Sequence, residues 1–357
     1  MVKFIHTSDW QLGAAFAQIP GDSGAYLRTQ RLETVDRIGL AAQEEQAQFV
    51  LVAGDLFDAH TVGNDVVTQM CEKVGRFSVP VYVIPGNHDF ASAPESVYQR
   101  ERFIQRKPDN LYILQEPCPI QIPGTPAIVL PCPLRQRHTV VDPTGWMGSD
   151  TGRGLGGDAI RIGLAHGSVV DFAPEDGGTT ANLIDPAVID RAALDYLALG
   201  DWHGCRQVTD KAWYSGTPEP DRFREGRPGG VLIVTIRSAG DLPDVREVEV
   251  GACRWRRHAV TVHGAEDVAA LEKWFNALET PERTLVRLEI DGVLGIESAA
   301  NLEQLLRTQA ELLLHLRQRG GGAGGDLRRL EQLLQQLSVE GPLLARLQRQ
   351  RVLHGAV

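Results

Sequence analysis

Short apolar runs recur along the first two thirds of the chain, and each stops at a polar cluster. Residues 2–5 lead into Ser8-Asp9-Trp10-Gln11, and residues 49–53 into Gly54-Asp55-Leu56-Phe57-Asp58. Residues 79–84 lead into Pro85-Gly86-Asn87-His88-Asp89, residues 161–165 into His166-Gly167, and residues 196–199 into Gly200-Asp201-Trp202-His203. Runs this short, rich in β-branched and aliphatic residues, predict buried strands. Between the first two, Leu27, Leu32, Val35, Ile38 and Ala42 recur at helical spacing over residues 27–48, and residues 66–77 predict a second helix. Strand–helix–strand alternation predicts an α/β fold whose strand-end loops gather on one edge. The Pro/Gly-rich stretch 142–157 predicts a surface loop between two strands.

After about residue 225 the pattern changes. Residues 231–236 and 245–250 read as antiparallel strands. Residues 259–262, an amphipathic helix over 266–278 (Leu271, Trp274, Phe275, Leu278) and a strand over 284–290 complete a smaller α+β unit. From 298 onward helix is expected, with Leu302, Leu305, Leu306, Leu312, Leu313 and Leu316 on one stripe. The glycine-rich link 320–325 reads as flexible. Asp326 then caps a second helix carrying Leu327, Leu330, Leu333, Leu334 and Leu337, and Gly341-Pro342 breaks it. Three segments result: an α/β domain over 1–225, an α+β domain over 226–297 and a helical segment over 298–357. The leucine stripes suit either a core or a partner surface.

Composition narrows the class. A chain of 357 residues with 43% hydrophobic and 23% charged residues fits a soluble globular protein of about two domains. Its 46 acidic and 36 basic side chains give −10, which excludes coating of nucleic acid by bulk electrostatics. The whole excess lies in residues 1–225, where 29 acidic side chains face 19 basic ones. Only five of the basic residues are lysine. Arginine offers phosphate a planar fork of donors, although GC-rich coding produces the same bias. Five scattered cysteines, odd in number and without CxxC, signal neither a disulfide framework nor a zinc ribbon. The first residues lack a signal peptide's apolar core, and no run approaches the ~18 residues of a membrane span. A cytoplasmic location without membrane association is expected.

Asp9, Asp55, Asn87, His88, His166, Asp201 and His203 each lie just past a predicted strand. Strand ends of one edge bring such residues together across long sequence distances. Carboxylate, amide and imidazole donors without thiolate suit Mn²⁺, Fe²⁺ or Zn²⁺. A carboxylate bridging two ions about 3.5–4 Å apart is the two-metal arrangement for displacement at phosphorus.

These motifs, in this order, resemble the calcineurin-like metallophosphoesterase family, with its DxH, GDxxD, GNH(D/E), isolated His and GHxH motifs. The likeness covers roughly residues 1–225. The stretches His6-Thr7-Ser8-Asp9-Trp10-Gln11-Leu12-Gly13 and Tyr214-Ser215-Gly216-Thr217-Pro218-Glu219 are similar to the SbcD branch, nuclease subunits of bacterial double-strand-break repair complexes. The resemblance implies a β-sandwich flanked by helices, a smaller α+β domain that caps the site and holds DNA, and a helical C-terminus. It implies two divalent ions, Mn²⁺ first, with Fe²⁺, Mg²⁺ or Zn²⁺ as alternatives. The first would be held by Asp9, Gln11, Asp55 and His203, the second by Asp55, Asn87, His166 and Asp201. His88 would stabilise the transition state or protonate the leaving oxygen, with Asp89 fixing its tautomer. The implied partners are DNA, an SMC-like coiled-coil ATPase docked on the C-terminal helices, and a second copy of the chain.

Two positions depart from that pattern. Gln11 replaces a histidine with a weaker, neutral ligand, and Asp201 replaces the first histidine of GHxH with a charged one. An asymmetric site is expected, firm at the second metal and loose at the first. Three readings therefore stay open: a DNA phosphodiesterase, a phosphodiesterase for a small nucleotide, and a weakly active metal-binding scaffold. Outside the motifs, His6 is expected to be a packed histidine and Asp58 a loop-fixing acceptor. Trp10 and Trp202 suit either core packing or a base-stacking wall. Among the arginine clusters, Arg222, Arg224, Arg254, Arg256 and Arg257 are the candidates for DNA contact.

Overall fold

The computed structural model describes residues 1–92, 96–149, 157–170, 181–223 and 228–320. Its first elements are β1 (Val2–Thr7), α1 (Gly21–Glu44), β2 (Val50–Val52), α2 (Asn64–Val74), β3 (Val81–Val83), α3 (Glu101–Arg106) and β4 (Leu111–Ile113). Next come β5 (Ile120–Gln121), β6 (Ala127–Cys132), β7 (Ile160–His166), β8 (Ser168–Val169), β9 (Leu183–Ile184) and α4 (Val188–Arg191). They are followed by β10 (Tyr196–Gly200), β11 (Arg206–Thr209), β12 (Ala212–Tyr214), β13 (Gly230–Ile236) and β14 (Asp244–Glu249).

Side-chain alternation in β1 decides the layering. Val2 and Phe4 point into an apolar layer with Phe49, Leu51, Leu232, Val234 and the facing Ile162, Leu164, Tyr196 and Ala198. Ile5, one position out of phase, joins Val35, Ile38, Val67, Met70 and Phe103 from the helices instead. Two six-stranded sheets result, in orders β14-β13-β1-β2-β3-β4 and β11-β12-β10-β7-β6-β5. They pack face to face, with α1, α2 and α3 outside the first and α4 outside the second. The mixed α/β fold is that of a helix-flanked β-sandwich. Parallel pairing aligns Thr7 with Val52 and Val52 with Val83 in one sheet, and Gly200 with His166 in the other. The strand ends that precede each polar cluster therefore lie level.

The sequence reading places residues 231–236 and 245–250 in the smaller domain, but β13 pairs antiparallel with β1 and carries β14 with it. The free edge of β1 needs a partner, and Leu232, Val234 and Ile236 fill the layer between the sheets. The compact units accordingly divide at Arg254 and Trp255.

The second unit holds β15 (Arg254–Val262), α5 (Ala265–Asn276), β16 (Thr284–Gly292), α6 (Ile296–Leu312) and β17 (His315–Gly320). Val286, Leu288 and Ile290 of the three-stranded sheet pack against Leu271, Phe275, Leu302 and Leu306 of the helices. Helix is expected throughout from 298, yet the chain leaves it at Leu312 and pairs parallel with β16 as β17. The open edge of β16 offers backbone partners that a longer helix would forgo. The expected second helix after Asp326 lies outside the described residues. No helix among the described residues is long and apolar enough to cross a membrane.

Candidate metal centre

The loop after each level strand end is forced to turn sharply. Four of the eight non-glycine residues with positive φ among the described residues are predicted ligands: Asp9 (52°), Gln11 (43°), Asp55 (54°) and Asp201 (97°). Such backbone costs about 1–3 kcal/mol per residue and persists where the surroundings enforce it. They do so here by cross-loop hydrogen bonds. Asp9 N–H donates to Gly54 O at 3.0 Å, Gln11 N–H to Asp55 O at 2.9 Å, and Asp201 N–H to Asp9 Oδ2 at 3.1 Å. Close approach also fixes two glycines. A Cβ on Gly54 (φ 90°) would strike the His166 ring, and one on Gly86 would strike Asp55.

The side chains converge. Oxygens of Asp9 and Asp55 and a ring nitrogen of His166 all lie within 4.8 Å of one another, and all three residues are buried. His166 Nδ1–H donates to Ala53 O at 2.8 Å, so Nε2 faces inward, 3.6 Å from Asp55 Oδ1 and 3.8 Å from Asp201 Oδ1. Asn87 Nδ2 donates to Asp201 Oδ1 at 3.3 Å, and Ser168 Oγ to Asp201 Oδ2 at 2.9 Å. On the other side, His203 Nε2 lies 3.9 Å from Asp9 Oδ1 and accepts from Gln11 Nε2 at 3.1 Å. The structure thus brings the seven predicted ligands together around one centre.

Burial pushes the Asp9 and Asp55 carboxyls up. Burial also works against charge on His166, but Asp55, Asp9 and Asp201 overcome it and hold that imidazole up to about 9. Two buried atoms here make no hydrogen bond, His166 Nε2 and Asn87 Oδ1. An orphaned imidazole nitrogen and an orphaned amide oxygen beside crowded carboxylates are what a divalent cation would satisfy. The residues fit the group.

His88 is oriented differently from expectation. Its Nδ1 lies 2.7 Å from the backbone carbonyl of Asp58, which takes the Nδ1 proton, and Nε2 sits 4.0 Å from Asp55 Oδ2. Asp89, expected to fix that tautomer, is wholly buried and spends its oxygens elsewhere. It accepts from Gly86 N at 2.8 Å, Phe57 N at 3.1 Å and the Tyr98 hydroxyl at 2.6 Å. Asp89 therefore shapes the loop, and Asp58 positions His88 through its carbonyl. His6 is packed as expected, between Tyr196 Oη at 2.9 Å and Leu199 O at 3.1 Å. Trp10 is buried, with Nε1 on Thr7 Oγ1 at 3.1 Å, so it belongs to the core and forms no stacking wall.

Several supporting residues escape the sequence reading. Ser8 Oγ donates to Asp9 Oδ2 at 2.5 Å and meets Ser215 Oγ at 2.9 Å. Thr217 Oγ1 donates to Asp9 O at 2.9 Å. Buried Arg31 joins Trp10 O and Glu219 O, each at 2.9 Å. An arginine four residues after Leu27, on the apolar face of α1, is the signal that could have found it.

A cleft of about 650 Å³ opens beside the centre, lined by residues 14–18, Gln11, Asp58, His88, Asp201, His203, Asp221 and Arg222. Of the other arginines proposed for DNA, Arg224 lies outside the described residues. Arg254 pairs with Glu249. In the second unit Arg257 pairs with Glu289 at 2.9 Å, and Arg256 is exposed.

Solved structures resemble the chain at low identity. The protein TT1561 of Thermus thermophilus is 13% identical, with 70% of this chain and 99% of that chain covered and a TM-score of 0.45. A further crystal structure is 12% identical over 70% and 98%, with a TM-score of 0.44. Residues 2–170, the stretch that supplies Asp9, Gln11, Asp55, Asn87, His88 and His166, match the family model for calcineurin-like phosphoesterases.

Proposed function

We propose that the protein is a metal-dependent phosphodiesterase acting on DNA, an exonuclease or endonuclease of DNA repair or processing. The family implies metal-dependent phosphoester hydrolysis. One observation carries the reading furthest. The unsatisfied His166 Nε2 and Asn87 Oδ1 stand among three aspartates, next to a cleft that also holds His88 and Arg222. Asp9, Gln11, Asp55 and His203 would hold one divalent ion and Asp55, Asn87, His166 and Asp201 another. Such ions, when bound, supply Lewis acidity toward a phosphoryl oxygen and the attacking water. The chain's own groups do the rest. Asp58 holds His88 with Nε2 toward the site, from where the ring, when protonated on both nitrogens, would pass its Nε2 proton to the leaving oxygen. Arg222 brings positive charge to the cleft, where a phosphodiester backbone enters.

DNA is favoured over a small ester by the likeness of residues 6–13 and 214–219 to the SbcD branch and by the arginines around them. The same likeness supports Mn²⁺ as the metal, a cytoplasmic location, a second copy of the chain, and an SMC-like ATPase docked on the C-terminal segment. Mn²⁺-dependent cleavage of end-labelled linear DNA, assayed beside bis-p-nitrophenyl phosphate, tests the reading. His88→Ala should lower DNA cleavage by about 10²–10⁴-fold. Turnover of the ester without DNA cleavage would establish the small-substrate reading instead. Cleavage that rises steeply in Gln11→His would mark the natural site as an impaired, scaffold-like one.

A further inference from the structure

Asp221 is not part of any recognised motif, yet its carboxylate stands behind the centre. One oxygen, Oδ2, lies 3.0 Å from His203 Nδ1, and the other, Oδ1, accepts from Arg222 Nε at 2.9 Å. The Arg222 NH2 group also lies 3.4 Å from Oδ2 and 3.0 Å from His203 Nδ1. A guanidinium has only donors, and a ring nitrogen that already gives its proton to a carboxylate cannot accept. Both donors, the His203 Nδ1–H and the Arg222 guanidinium, therefore meet at the carboxylate. Its side chain is 13% exposed and that of His203 is 11%, whereas Arg222 is 46% exposed at the cleft.

The chain delivers Asp221 there by local means. Glu219 is wholly buried and bonded to the N–H groups of Ala252 and Cys253 at 2.8 and 2.9 Å. Pro220 comes next, with its backbone dihedral fixed by the ring. A residue two positions after such an anchor has little freedom.

We propose that Asp221 is a positioning residue that couples the two halves of the site, fixing His203 with Nε2 toward the metal and holding Arg222 at the substrate side. This rests on the metallophosphoesterase reading. A carboxylate behind a ligating histidine fixes its tautomer and orientation, and its loss weakens metal binding by about 10–100-fold. Arg222 has no ligand role, so its loss acts on substrate alone.

The test is Mn²⁺ binding followed by calorimetry and by electron paramagnetic resonance, with kcat and KM for bis-p-nitrophenyl phosphate, on the full chain. Asp221→Ala should weaken one of two Mn²⁺ steps about 10–100-fold, change the resonance of that ion and raise KM. Asp221→Asn keeps the volume of the side chain and one acceptor, so it reports even where alanine fails to fold; it should retain part of the metal affinity. Arg222→Gln should raise KM and leave both Mn²⁺ steps unchanged. Wild-type Mn²⁺ affinity in both Asp221 variants overturns the proposal, as does an Arg222→Gln variant that loses metal as strongly as Asp221→Ala. Wild-type protein that binds no Mn²⁺ overturns instead the reading beneath it.

Discussion

His166 hands its Nδ1 proton to the backbone oxygen of Ala53 at 2.8 Å, a bond that reaches from one sheet of the sandwich to the other. The bond does two things at once. It ties the end of β7 to the loop after β2, and it commits Nε2 to the cluster of Asp9, Asp55 and Asp201. A ligand held this way is pre-organised, so little ordering is left to oppose binding of a cation.

Metal should therefore appear directly as stability. A ligand that binds only the folded state at 100 times its Kd adds about 2.7 kcal/mol, or roughly 3–5 °C in a protein of this size. Mn²⁺ should raise the melting temperature of chelator-treated protein by that order. His166→Ala should remove most of the rise. A melting temperature indifferent to Mn²⁺ and EDTA would show that the cluster holds no cation.

Tyr98 offers a way to separate fold from chemistry at the GNHD motif. Its hydroxyl bonds to buried Asp89, whose carboxyl burial pushes up and whose oxygens are taken by Gly86 N, Phe57 N and Tyr98 itself. Tyr98→Phe deletes one of three donors to that carboxylate. The expected loss is about 1–3 kcal/mol of unfolding free energy, read as a lower urea midpoint. Turnover should change less than about tenfold, roughly the factor that separates a structural change from loss of a general acid. Unchanged stability with collapsed turnover would return Asp89 to the catalytic role that the motif suggests.

That contrast shows what the sequence could and could not convey. Asp9, Asp55, Asn87, His166, Asp201 and His203 were legible because apolar runs of a few residues predict strands, and one sheet edge gathers the loops at their ends. The partners of those residues were not. Asp89 neighbours His88 in the chain but faces Phe57 and Gly86. Asp58, read for its carboxylate, acts on His88 with its backbone. Ser8 and Ser215 are 207 residues apart and meet only once the sheets have packed. The edges of the sheets were equally hidden: β13 looked like the start of a new unit until β1 needed a neighbour. Periodicity reports which face is buried, and says nothing of which strand it lies beside.

Acid sensitivity should trace in part to His6. Burial drives its pKa from 6.5 down to about 3, so it is neutral in the folded protein. The unfolded chain takes up a proton below about 6.5, and the folded chain does not. Stability from this residue is therefore complete above pH 6.5 and is lost as pH falls from there toward 3. Each unit in that window costs about 1.4 kcal/mol. His6→Gln keeps hydrogen-bonding capacity toward Tyr196 and Leu199 without a titrating group. Between pH 6.5 and 5 its unfolding free energy should fall about 2 kcal/mol less than that of the natural protein. Equal falls in the two proteins would assign acid sensitivity to other groups.

Glu219 ties α1 to the loop that carries Thr217 and Asp221. Its carboxylate accepts from Thr34 Oγ1 at 2.8 Å, Arg37 at 3.0 Å and the N–H groups of Ala252 and Cys253. Its backbone oxygen accepts from Arg31, which also holds Trp10 O, next to Asp9. Glu219→Ala strands one guanidinium and two backbone donors, and removing one partner of a buried pair costs about 3–5 kcal/mol. Arg37 is 30% exposed and can turn to water, so the lower end is expected. The loop bearing Thr217 and Asp221 loosens with it, so Mn²⁺ should also bind more weakly. Glu219→Gln keeps one acceptor oxygen and should lose about half as much stability. Chemical denaturation with and without Mn²⁺ measures both effects. If Glu219→Ala unfolds as the natural protein does, the link from α1 to the metal centre through this carboxylate does not exist. If it is destabilised with Mn²⁺ affinity unchanged, the carboxylate supports the sandwich alone, and the loop that carries Asp221 is held by its bonds to Asp9 and His203.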